Sequence, residues 1–111
     1  MAKAVKLANG KSWRTRTAAI EHFREMLKKY RPGQTIDDAA DHDDLAALLH
    51  RYDGALPPGS PTKRGSGISH FSKQLNMGEG WTSLGFHVHR VDGTSDDFSI
   101  RHAVNDGKDE Q

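Results

Sequence analysis

The stretch Phe86-His87-Val88-His89-Arg90-Val91-Asp92-Gly93-Thr94-Ser95-Asp96-Asp97-Phe98-Ser99-Ile100 reads as a β-hairpin. Two alternating runs rich in β-branched and aromatic residues flank Asp92-Gly93, a dipeptide that favours tight turns. Side chains alternate along a strand, so Leu84, Phe86, Val88, Phe98 and Ile100 define one buried face. A three-residue loop Val91-Asp92-Gly93 with Gly93 at positive φ sets Phe86 opposite Phe98 and Leu84 opposite Ile100. A slip of two residues sets Val88 opposite Phe98 and keeps the faces. In either register His87, His89, Asp97, Ser99 and Arg101 share the other face, where function is sought.

Working outward, Ile68 to Leu75 reads as a neighbouring strand, and Asn76-Met77-Gly78-Glu79-Gly80 turns the chain into the hairpin. At the N-terminus Asn9-Gly10 suits a type I′ turn, making residues 4–14 a short hairpin that can add to the sheet. Thr15 or Thr17 can cap a helix running to about Tyr30, whose Ala19, Phe23, Met26, Leu27 and Tyr30 form one apolar stripe flanked by Arg24, Lys28, Lys29 and Arg31. Pro32-Gly33 stops it. Asp41, followed by further acids, starts a second helix carrying Leu45, Leu48, Leu49 and Tyr52. The Asp/His cluster 37–44 is ordinary helix-start chemistry before it is a metal site. Residues 53–67 hold three of the four prolines and form a loop ending in Lys63-Arg64-Gly65-Ser66-Gly67, which is no nucleotide P-loop.

The expected fold is α+β. An antiparallel sheet (hairpin 82–91/95–103 plus strand 68–75, with hairpin 4–14 a further candidate) is covered on one face by two helices. Residues 1–104 form one domain and the polar tail 105–111 is expected to be disordered.

With 111 residues, 34% hydrophobic and 28% charged, the chain supports one modest core. It has no cysteine, which excludes disulfides and thiolate metal sites. No signal peptide or membrane span is read, and the cytoplasm is the default. A net charge of +1 conceals an asymmetry: residues 1–31 carry nine bases and two acids, residues 32–60 one base and six acids. Either the basic segment is a footprint for an anionic polymer, or the two segments neutralise each other in space.

The order of signals over residues 12–104 resembles the DCL family, named for plants with defective chloroplasts and leaves. The matching elements are Met26-Leu27-Lys28-Lys29-Tyr30-Arg31-Pro32-Gly33, Asp41-His42-Asp43-Asp44-Leu45-Ala46-Ala47-Leu48-Leu49 and Lys63-Arg64-Gly65-Ser66-Gly67-Ile68. The most specific is a signature of Phe86, Arg90, Asp92, Gly93, Asp97, Phe98 and Ser99. Cysteines that flank this signature in many plant members are replaced by Gly85 and Ala103, so a thiol role does not carry over. The resemblance implies an RNA context: plant members are tied to chloroplast ribosomal RNA processing, and a related domain ends the largest subunits of plant RNA polymerases IV and V. No transit peptide is read, so a bacterial or phage stand-alone copy is expected.

Three site readings compete. RNA binding would use Lys11, Arg14, Arg16, Lys63, Arg64, Lys73 and Arg101 for phosphates and His87 and His89 for bases, with Trp81 as a stacking platform. His87 and His89 at i, i+2, with Asp97 across from one of them, are a trio that can hold zinc with an open position, but short His-x-His pairs on exposed strands are more often simply polar. Acid–base chemistry, with Asp97 orienting a His near Ser99 as nucleophile, has no nucleophile elbow or oxyanion hole to support it. Within the signature Phe86 and Phe98 read most simply as core and Asp92-Gly93 as a turn. Arg90 falls near the hairpin end, with Asp96 its expected partner. The expected function is a non-catalytic RNA-binding accessory module without cofactor or metal. The alternative is a protein-interaction domain docking to ribosome or polymerase machinery, with an enzyme third.

Overall fold

A computed structural model describes residues 4–107 and their side chains, that of Trp81 excepted. The elements run β1 (Val5–Lys6), β2 (Ser12–Trp13), α1 (Arg16–Lys28), α2 (Ala39–Gly54), β3 (Ile68–Gly78), β4 (Trp81–Arg90), β5 (Ser95–Phe98) and α3 (Ile100–Asp106). β3, β4 and β5 form an antiparallel sheet in that order, while β1 and β2 make a separate two-stranded one. The α+β architecture is as the sequence predicts, with a third helix added.

The hairpin β4–β5 has the three-residue loop. Arg90 N–H donates to Thr94 O (2.8 Å), Gly93 N–H to Arg90 O (3.0 Å), and Phe86 pairs with Phe98. Gly93 sits at φ +89°, a conformation that most side chains resist. The N-terminal turn repeats this pattern: Leu7 N–H donates to Lys11 O (2.9 Å) and Gly10 N–H to Leu7 O (3.0 Å), with Gly10 at φ +91°. It is therefore a three-residue loop and not the type I′ turn expected, since Asn9 keeps negative φ and uses its side-chain oxygen to accept from Lys11 N–H (3.2 Å).

The second strand expected to reach residue 103 stops at Phe98. Ser99 caps α3, its hydroxyl accepting from His102 N–H (3.1 Å). Ile100, Ala103 and Val104, spaced i, i+3, i+4, turn one helical face to the core. Ile100 is thus a helix residue, and Leu84 pairs with Leu75 of β3 instead. Strand β3 also runs on to Gly78, the turn being Glu79-Gly80 alone. A bulge at Ser69 lets both Ile68 and Phe71 reach the core. On the helices, Thr15 caps α1 by accepting from Ala18 N–H (3.1 Å), and Asp38, not Asp41, caps α2. Of the expected tail, Asn105 and Asp106 close α3, and 108–111 lie outside the described residues.

The core joins Phe23 and Met26 of α1 and Leu45, Leu48 and Leu49 of α2 to Phe71, Phe86, Val88 and Phe98 of the sheet. Phe98 is central, its ring 5.9 Å from Phe71 and 6.4 Å from Phe86. Two cations are buried beside this core, each at a helix end. The Lys73 ammonium donates to Leu27 O (3.0 Å) and Tyr30 O (2.9 Å), closing the C-terminus of α1. The Arg51 guanidinium donates to Ala103 O (3.0 Å) and Val104 O (2.7 Å), closing α3. Last-turn carbonyls lack intrahelical donors and carry the negative end of the helix dipole, so a cation is the fitting cap. No helix of the described residues is long and apolar enough to cross a membrane.

Candidate nucleic-acid interface

The outer face of the sheet, where the His residues were expected to act, is a self-contained polar network. The His70 and His89 rings stack at 4.3 Å, and His89 Nε2 lies 2.7 Å from Ser72 Oγ, which also accepts from Gln74 (2.8 Å). His87 Nε2 donates to Asn76 Oδ1 (2.6 Å) and pairs in register with Asp97. Burial, then the neighbouring His70 and His87, hold the His89 imidazole below its ordinary pKa. On this face His87 and His89 are already held by partners within the sheet. Among the described residues no three acidic or His side chains are grouped to hold a metal ion. Ser99 and Arg101 are not on this face, because the chain has already turned into α3.

The signature residues build the hairpin. Asp92 accepts from Thr94 N–H (3.0 Å) and Thr94 Oγ1 (2.6 Å), and these bonds hold its carboxyl below the usual range. Arg90 donates to Lys63 O (2.9 Å) and Thr94 Oγ1 (3.1 Å) and approaches Asp96 at 3.7 Å. Phe86 and Phe98 are core. Asp92, Gly93, Asp97 and Ser99 are exposed.

Three of the seven expected phosphate ligands, Lys11, Lys63 and Lys73, have their side chains engaged elsewhere. Lys11 binds Asp44 at 2.7 Å, together with His22 (3.0 Å) and Asn9 (2.9 Å). Burial pushes the Asp44 carboxyl up, but these hydrogen bonds prevail and hold it below its ordinary pKa. Lys29 and the Tyr30 hydroxyl both meet Asp41 at 2.7 Å. Basic N-terminal residues and the acidic start of α2 therefore do neutralise each other. Lys63 binds Asp96 (2.9 Å), and the main-chain N–H groups of Lys63 and Arg64 donate to Asp53 (2.7 and 3.2 Å). Lys73 is inaccessible, as described. Arg14 and Arg64 are exposed but line neither of the clefts described next.

Two clefts meet at α1 and α3. One, of about 270 Å³, is lined by Arg16, Ile20 and Arg24 of α1 and by Arg101 of α3, with Glu21 at its side. The other, of about 380 Å³, shares Arg24 and Arg101 and continues past Leu27, Phe98 and Ile100 to Leu84 of β4, with Asp97 at the rim. Arg16, Arg24 and Arg101 form no ion pair with either acid or with any other described residue. Arg16 Nε is buried and has no hydrogen-bond partner. Of the expected ligands the structure thus brings together Arg16 and Arg101. Arg24 was overlooked as a ligand, although its i+8 spacing from Arg16 places both along one side of the helix.

Residues 24–104 match the family described as "Protein of unknown function (DUF3223)", and the chain belongs to that family. It is also similar to the solution NMR structure of an uncharacterised protein from Rhodospirillum rubrum, with 28% identity and a TM-score of 0.70 over 93% of this chain and 91% of that one. No curated protein matches.

Proposed function

We propose that this member of the DUF3223 family is a non-catalytic, cytoplasmic RNA-binding accessory module whose phosphate contacts lie in the α1–α3 cleft. The observation that carries the reading is the trio Arg16, Arg24 and Arg101, which line joined clefts without an acidic partner. A guanidinium presents a rigid fork of donors that matches phosphate oxygens, and three around one cleft suit a ligand of repeated negative charge. The resemblance of the chain to the DCL family, with its ties to ribosomal RNA processing, supports the same class of ligand.

A protein partner is the second reading, favoured by Leu75 and Met77, which are 51% and 74% exposed at the far end of the β3–β4 hairpin. Fluorescence anisotropy with labelled RNA at several salt concentrations separates the two. Three phosphate contacts give a log–log slope of about −2.1 for a single strand, so affinity should fall roughly 20-fold between 50 and 200 mM salt. Affinity weaker than about 1 mM at 50 mM salt overturns the RNA reading and leaves the protein partner.

A further inference from the structure

The ladder between β4 and β5 ends before β4 does. Arg90 and Thr94 form a hydrogen-bonded pair across the loop, and in antiparallel strands such pairs recur at every second residue. Val88–Asp96 and Phe86–Phe98 are in phase with it, so the next position on β4 is Leu84. Its partner would be residue 100, but Ile100 begins α3. The N–H and C=O of Leu84 therefore face an edge that no described strand occupies. The larger cleft opens at this gap. Leu27, Leu84, Phe98 and Ile100 line it together with polar groups that include Asp97, Arg24 and Arg101, and its volume of about 380 Å³ lies within the small-ligand range.

We infer that this notch receives one unpaired nucleobase, so that the ligand of the arginine cleft is single-stranded; the inference rests on the RNA reading above. Each part of a nucleotide has a counterpart here. The planar ring meets the apolar side chains of Leu27, Leu84, Phe98 and Ile100, and its edge meets a donor and an acceptor side by side on one residue. The flanking phosphates meet Arg24 and Arg101, which belong to both clefts. Sequence-reading proteins take unstacked RNA bases in this manner, whereas paired bases of a duplex keep their edges occupied. An extended peptide seeks open strand edges too. Here, however, Thr82 is the single in-phase residue left between Leu84 and the Glu79-Gly80 turn, which is too short a ladder for an added strand.

The test compares a labelled single-stranded RNA, a duplex RNA of equal length and an acidic apolar peptide, each against wild type, Leu84→Glu and Leu84→Ser. Leu84 is 43% exposed, so both variants should keep the wild-type melting temperature. Leu84→Glu should weaken single-strand binding at least about 10-fold, the loss of one base contact, and duplex binding less than about 2-fold. The uncharged Leu84→Ser should weaken the single strand in the same direction. Adding a nucleoside monophosphate to ¹⁵N-labelled protein should shift the Leu84 amide resonance. Equal binding of single strand and duplex, unchanged by Leu84→Glu, overturns the notch and leaves the RNA reading standing. Absence of binding to either RNA overturns both, and a peptide that shifts Leu84 in that case puts a protein partner in their place.

Discussion

The outer face of the sheet and the cleft between α1 and α3 are both rich in polar groups, and they treat them in opposite ways. On the sheet, His87 is held by Asn76 and His89 by Ser72 and the stacked His70 ring. In the cleft, Arg16, Arg24 and Arg101 face each other's surroundings with no acid bound. Groups that satisfy one another specify a structure; charges left without partners are what a ligand can use. The same contrast divides the cations. Lys73 and Arg51 cap helix ends from inside, Lys11 and Lys63 neutralise Asp44 and Asp96, and Arg16, Arg24 and Arg101 are the cations gathered around a cleft, while the exposed Arg14 and Arg64 line neither one.

Phe98 is where the two regions meet, since it packs beneath the sheet and also lines the notch. Phe98→Ala should cost about 3–5 kcal/mol and unfold much of the protein, as read by urea denaturation. Near wild-type stability would mean that the buried face is misassigned. Inward and outward cations should separate next. Lys73→Met strands the Leu27 and Tyr30 carbonyls and should cost about 1–3 kcal/mol, whereas Arg24→Gln should stay within about 0.5 kcal/mol. Equal losses from the two would erase the distinction.

The smallest effect concerns pH. His89 has its folded pKa below the unfolded value of about 6.5, so on acidification the unfolded chain takes up the proton first. Stability should decline as pH falls from 7 toward 5, by at most about 1.4 kcal/mol per unit, and His89→Gln should lessen that decline. Asp44, also depressed, adds its loss only at lower pH, as the medium falls below its unfolded value near 3.9 and through its folded one. The two losses are thus separable on one titration. A stability flat between pH 7 and 5 in the wild type would show that the His network is open to water.

Much of the fold was legible because its signals are local. The Val91-Asp92-Gly93 loop, the Phe86–Phe98 register and the stripe Ala19, Phe23, Met26 all follow from neighbours in sequence. The start of α3 was not, because Phe98 and Ile100 fit a strand while Ile100, Ala103 and Val104 fit a helix, and a Ser cap decides between them. The site was less legible for a physical reason. Which cations remain available depends on contacts made far along the chain: Lys11 and Lys63 each find their acid 33 residues away, and Lys73 reaches a carbonyl 46 residues back. Arg16 and Arg101 were singled out, but nothing local sets them apart from the lysines that turned inward or found acids. The Trp81 side chain, considered as a stacking platform, lies outside those described.

The measurement that bears most directly on the account is the salt dependence of RNA affinity in two double variants, Arg24→Gln/Arg101→Gln in the cleft and His87→Gln/His89→Gln on the sheet. Removing two phosphate contacts should flatten the log–log slope by about 1.4 in the cleft variant, and the sheet variant should keep the wild-type slope. A flattened slope in the sheet variant, with the cleft variant unchanged, would contradict the account and return the RNA to the histidine face.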